Sequence, residues 1–150
     1  MALLGSLAPF AGCSGRELAL VDTLGTTVRV PAGTVLTQQG ARGRQCFVIE
    51  DGVVDVEADQ EALHVSRRGE WVGELALLGD GRRSATATTL VETDLLVFDP
   101  GAFAAILAEA RWVSDHVRLV AAERREVLAG ADQRAATASC NDVGPVLRLA

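Results

Sequence analysis

A chain of 150 residues is long enough for one domain with a real core, and nearly half its residues are apolar with the charges spread along it, which excludes a disordered polypeptide. Its net charge is −6 and every basic residue is an arginine, so it gains nothing from counterion release at a phosphate backbone, and no nucleic-acid partner is expected for this chain alone. Cys13, Cys46 and Cys140 lie far apart without CxxC spacing, which argues against a disulfide framework or a zinc site and for reduced thiols in a cytoplasm.

No basic region followed by a long apolar run opens the chain, so no signal peptide is expected. No apolar stretch approaches the roughly 20 residues needed to span a bilayer, so no membrane partner is expected either. Aromatic residues are scarce and tyrosine is absent, which predicts a core of Leu, Val and Ala specified by shape rather than by large rings.

In chain order, Pro9-Phe10 precede Ser14-Gly15-Arg16-Glu17, a capping box that predicts a helix with Leu18, Val21 and Leu24 on one face, ended by Gly25. From Thr26 the period becomes that of strands. Val28 and Val30 alternate, Pro31-Ala32-Gly33 makes a turn, and Thr34–Leu36 is the next strand. Gly40 to Gly43 reads as a loop. Cys46 to Glu50 is apolar enough for a buried strand, and Asp51-Gly52 is a hairpin signal. Val53 to Ala58 alternates and Ala62 to Ser66 pairs with it. Leu95 to Phe98 is the last strand. Asp99-Pro100 supplies N-cap and N1 of a helix to about Ala108. A final helix over roughly 110–128 carries a stripe of Val113, Val117, Val120 and Val127, interrupted by Arg124 and ended by Gly130. Residues 131–150 show no clear period and read as a tail, flexible or docked. Short strands with turn signals about every 8–12 residues predict an α+β domain, a β jelly roll flanked by helices, over residues 1–130.

The stretch Gly69–Thr89 carries the chemistry. A turn leads to Glu74-Leu75-Ala76-Leu77-Leu78, a Gly79-Asp80-Gly81 break, the pair Arg82-Arg83, and a Thr-rich strand. A short helical turn presents unpaired backbone N–H groups, which together with nearby glycines suit an anion. An arginine entering from the next strand can bind a phosphate bidentately, and Glu74 beside it can accept from a hydroxyl. A sugar phosphate satisfies both.

Gly73-Glu74-Leu75-Ala76-Leu77, then six residues between Ala76 and Arg83, then Arg83-Ser84-Ala85-Thr86, resembles the phosphate-binding cassette of cyclic nucleotide-binding domains. That family includes bacterial catabolite activator proteins, cyclic nucleotide-dependent kinases and gated channels. Pro31-Ala32-Gly33, Gly40, Phe47-Val48-Ile49 and Gly52-Val53 extend the resemblance to roughly residues 7–128. It implies a double-stranded β-helix in which Arg83 pairs with the exocyclic phosphate oxygens and Glu74 accepts the ribose 2′-hydroxyl. Backbone amides near Gly73, Leu75 and Ala76 complete the cradle, with the Ser84 hydroxyl and the Ala85 amide. Arg82 stands where the family often has proline, and it is expected to face solvent. The family's C-terminal helix often supplies a lid over the base; Leu119, Val120 and Leu128 are the candidates here, with Trp112 read as core. The ligand implied is cAMP, with cGMP as the alternative if Ser84 contacts a guanine amino group.

Rival chemistries fit less well. A metal-dependent jelly-roll enzyme needs clustered histidines, and only His64 and His116 exist. No Ser, His and Asp arrangement suggests acyl transfer, and Cys46, despite Arg42 and Arg44, sits at a core strand position. The reading is therefore a non-enzymatic, stand-alone regulatory protein that senses a nucleotide and shifts its C-terminal helix for an unknown protein effector. The alternative is a ligand-free relative that acts by interaction, with the valine stripe as a homodimer seam.

Overall fold

The structure, a computed structural model, describes residues 4–141, with side chains through residue 130. Two single 3-10 turns, Leu4–Ser6 and Ala8–Phe10, precede α1 (Gly15–Leu24). The capping box is formed: the Ser14 hydroxyl accepts from the Glu17 amide at 3.2 Å, and the Glu17 carboxylate accepts from the Ser14 amide at 2.9 Å.

Eight strands follow: β1 (Thr26–Val30), β2 (Val35–Thr37), β3 (Cys46–Asp51), β4 (Val54–Ala58), β5 (Glu61–Ser66), β6 (Trp71–Val72), β7 (Thr86–Thr89) and β8 (Thr93–Phe98). A short helix, α2 (Glu74–Leu78), separates β6 from β7, and α3 (Pro100–Glu109) and α4 (Arg111–Asn141) close the described chain. The strands form two antiparallel four-stranded sheets, ordered β1-β8-β3-β6 and β2-β7-β4-β5, the jelly roll that the turn spacing predicts. β1 and β8 pair from Thr26↔Val97 to Val30↔Thr93, so the first strand closes on the last.

Pleating assigns the core. In β3, Phe47 and Ile49 point between the sheets, where they meet Val54, Val72, Ala87 and Leu95. Cys46 and Val48 point the other way, to a helix-covered cluster with Leu96, Phe98, Val21, Phe103, Ile106, Val113 and Val117. Covered on both faces, β3 reads as a continuous apolar run. The expectation of a core without large rings is corrected here. Trp71 is fully buried against Phe10, Phe98 and Phe103, with ring centroids 6.2, 6.0 and 5.8 Å away. Few aromatics exist, but they are concentrated at one point, where each such pair adds about 0.5–1.5 kcal/mol beyond burial.

Two further expectations change. Trp112 is not core: it is 45% exposed and lies over Gly12. Val113 and Val117 take the inward face of α4, and Trp112, one residue earlier, is rotated off it by the helical period. Nor does the last helix stop at Gly130, since α4 continues to Asn141. A single glycine costs a helix only about 1 kcal/mol relative to alanine, and no proline follows until Pro145. Residues 142–150 of the expected tail lie outside the described residues.

Candidate functional site

β6 hydrogen-bonds to β3 through Phe47↔Val72 and Val48↔Trp71, and the chain must then turn sharply into α2. Gly73 makes that turn with φ +83°, a conformation costly for any side chain. Glu74, the first residue of α2, is thereby carried inward and is only 1% exposed. After α2, the Gly81 amide returns to the Ala76 carbonyl at 3.0 Å. The loop 40–43 then clamps residues 81–83: Gly43 N–H donates to Gly81 O (2.7 Å), Arg83 N–H to Ala41 O (2.8 Å), and Gly40 N–H to Arg83 O (2.8 Å). The Arg83 backbone is thus held on both its donor and its acceptor.

Its side chain is fixed just as firmly. Arg83 is 8% exposed; Nη1 donates to Gly73 O at 3.0 Å and Nη2 to Gln45 O at 2.7 Å. Gly43 makes room for it, because a Cβ there would lie 2.7 Å from Arg83 Cζ and Nε and from the Ala76 methyl. Two of the guanidinium's five donors are used on carbonyls, which leaves the others for an acceptor in the cavity. Burial pulls the Arg83 pKa down, opposed by the nearby charge of Glu74, yet an arginine has so high an ordinary value that it stays cationic.

Arg124, read from the sequence as an interruption of the valine stripe, proves to be part of this site. From α4 its Nη1 donates to Glu74 Oε1 at 2.7 Å and also to the Trp71 carbonyl oxygen. A carboxylate this deeply buried demands a cation, and Arg124 supplies it. Cys46 is fully buried behind the cassette, and burial, then the Glu74 charge, push its thiol far above the ordinary range. It packs in the helix-covered core cluster. Among the described residues no cluster of three or more His, Cys, Asp or Glu could hold a metal ion.

Gly73, Glu74, Leu75, Ala76, Arg83, Ser84 and Ala85 all line one cavity of about 390 Å³. Its opposite wall is α4, through His116, Val120, Arg124, Val127 and Leu128, and its floor is the inner face of β4, β5 and β7. Of the lid candidates, Val120 and Leu128 are on this wall, whereas Leu119 is exposed and turned away. Arg82 faces outward, with Nη1 donating to Gly40 O at 3.2 Å. His64 and Glu70, which the sequence left unassigned, form a pair on the β5 side at 2.7 Å. Three buried polar atoms on the cavity-lining residues have no hydrogen-bond partner among the described residues: Ser66 Oγ, Trp71 Nε1 and His116 Nδ1. Burial pulls the His116 pKa down, opposed by Glu123.

A two-sheet roll with a buried arginine and a buried carboxylate on one short cassette, both lining one cavity, is the arrangement that the comparisons address. The family described as cyclic nucleotide-binding domain matches residues 27–110, and the chain belongs to that family. The cAMP-dependent protein kinase regulatory subunit of Schizosaccharomyces pombe is 34% identical over 92 residues, which is 61% of this chain and 22% of that protein. A cyclic nucleotide-gated potassium channel of Rhizobium etli is 32% identical over 96 residues, 64% of this chain and 27% of the channel. The chain thus spans about a quarter of the length of these relatives. Among solved structures, the catabolite activator protein of Thermus thermophilus superposes with TM-score 0.71 at 25% identity, covering 88% of this chain and 63% of that one. The domain PKAR CBD2 bound to Sp-2Cl-cAMPS superposes with TM-score 0.78, covering 87% of each chain; at 20% identity that likeness concerns the fold. No helix among the described residues is long and apolar enough to cross a membrane.

Proposed function

We propose that this domain binds a cyclic nucleotide, cAMP in preference to cGMP, and acts as a regulatory module without catalysis of its own. The observation that carries the reading is the Arg83 guanidinium, fixed on the wall of a cavity with donors to spare. The exocyclic phosphate oxygens accept from it, from the Ser84 hydroxyl and from the amides of Ala85, Gly73, Leu75 and Ala76. Glu74 accepts the ribose 2′-hydroxyl. Because α4 forms the facing wall, a ligand that binds one placement of this helix better than another shifts its population, and that shift is the output to a protein effector. Free Cys13 and Cys46 suit a cytoplasmic setting.

One observation favours the second reading, a ligand-free relative that works through protein contacts or a homodimer: Arg124 already satisfies Glu74. Calorimetric titration with cAMP and with cGMP decides. Micromolar or tighter binding of cAMP is expected. No heat with either nucleotide, and an unchanged melting temperature at millimolar ligand, would leave the ligand-free reading standing.

Gly43→Ala is expected to weaken cAMP binding about tenfold, because the new methyl must push the guanidinium or the Ala76 methyl out of place. Overpacking of this kind costs about 1–3 kcal/mol. A Gly43→Ala protein that binds as tightly as the parent would show that the Arg83 position is not set by this contact.

A further inference from the structure

We propose that Ser66, Trp71 and His116 together hold one ordered water, which ties α4 to the roll. The three side chains stand on three elements that meet at one seam. Ser66 ends β5 and Trp71 opens β6, so only the turn 67–70 separates them. Gly69 of that turn lies against the 3-10 turn Ala8–Phe10, since a Cβ on it would stand 3.5 Å from the Ala8 amide nitrogen. α4 packs against this same 3-10 turn and against β5. His116 lies one helical turn before Val120 and two before Arg124, on the face of α4 that lines the cavity. Ala8, Ser66, Gly69 and Trp71 line it as well.

Ser66 and Trp71 are fully buried, and Ser66 Oγ, Trp71 Nε1 and His116 Nδ1 are each shut off from solvent with no hydrogen-bond partner among the described residues. A polar atom that gives up its hydration and gains nothing in return is costly, so each demands a partner. The chemistry of the three narrows what that partner is. An indole N–H only donates, whereas a serine hydroxyl donates and accepts. Nδ1 of a neutral imidazole donates in one tautomer and accepts in the other, and burial favours the neutral ring. An anion would satisfy the indole but not a lone pair on Nδ1, and a cation would face the indole N–H. Water both donates and accepts, so it serves all three atoms with either tautomer. A buried water typically makes about three such bonds and takes up about 30 Å³ in the liquid. The cavity of about 390 Å³ has room for it. Arg124 fixes α4 rigidly to Glu74 through a charged contact. Two turns earlier in the helix, the water is a joint that can re-form its bonds as the helix moves.

The test is a high-resolution crystal structure of the ligand-free chain together with the melting temperature of Ser66→Ala. The crystal structure should show a water oxygen within about 3.2 Å of at least two of the three atoms. Ser66→Ala should melt about 2–4 °C below the parent, because it deletes one satisfied hydrogen bond and almost no packing. A hydroxyl without a partner predicts the opposite sign, since its removal ends a desolvation cost. The proposal falls if the seam holds no water, if a buffer or cryoprotectant molecule sits there instead, or if the three atoms bond directly to one another or to another side chain. It falls equally if Ser66→Ala melts at or above the parent temperature. None of these outcomes touches the cyclic nucleotide reading, which calorimetry tests separately.

Discussion

On the cyclic nucleotide reading, Arg83→Ala is expected to lower cAMP affinity by roughly 10²- to 10⁴-fold, the largest effect of any single substitution in this chain. The surrounding backbone holds this side chain in place at the cassette end of the cavity, through Gly73 O and Gln45 O. A phosphodiester that accepts two charge-assisted hydrogen bonds from it loses about 1.5–3 kcal/mol for each. Arg83→Lys keeps the charge but cannot bind two backbone carbonyls and two phosphate oxygens together, so an intermediate loss is expected. Calorimetry below the melting temperature of each variant measures this. An alanine variant within tenfold of the parent would mean that the phosphate lies elsewhere.

The second large effect is on stability. Arg124→Met strands Glu74, a carboxylate that is 1% exposed, without its cation. Breaking a buried ion pair from one side costs about 3–5 kcal/mol; Arg124 is partly exposed, so the lower figure applies, and the melting temperature should fall by about 6–12 °C. Ligand acts in the opposite direction. A 2′-hydroxyl that donates to the stranded carboxylate relieves it, so saturating cAMP should raise the melting temperature more in Arg124→Met than in the parent. The 2′-deoxy analogue should not. Removing both partners in Arg124→Met/Glu74→Gln should recover most of the lost stability in the apo protein. An Arg124→Met melting temperature equal to the parent's would show that the pair contributes nothing in solution.

The sequence revealed those features that depend on neighbours in the chain. The Ser14–Glu17 box, the Asp99 cap and the alternation of β4 are local, and so is the cassette from Gly73 to Ala85, whose residues reach one cavity because a positive-φ turn and a five-residue helix leave them little choice. What was missed depends on partners distant in sequence. Arg124 looks like a defect in an apolar stripe until Glu74, 50 residues earlier, is seen opposite it. A lone arginine on a helix's apolar face, beside a chain with one acid in its anion site, was the available signal. His64 and Glu70 meet only because β5 and the turn after it bring them together, and nothing in their spacing marks them. Trp112 was misplaced because large aromatics favour the interior on average, whereas here the phase of α4 decided.

Pairing between β1 and β8 has a kinetic consequence. Thr26 and Val97 are about 70 residues apart in the chain, and their sheet cannot close until that whole intervening segment is available. Such non-local closure makes folding slow, because the loop entropy is lost before the contacts that offset it have formed. During synthesis, β3 must wait for β8 before it has a neighbour on that edge, and the cassette lies wholly inside the waiting segment. The ligand cavity is therefore among the last parts of the molecule to exist. On the cyclic nucleotide reading, a nucleotide is expected to stabilise a roll that has already closed rather than to template it.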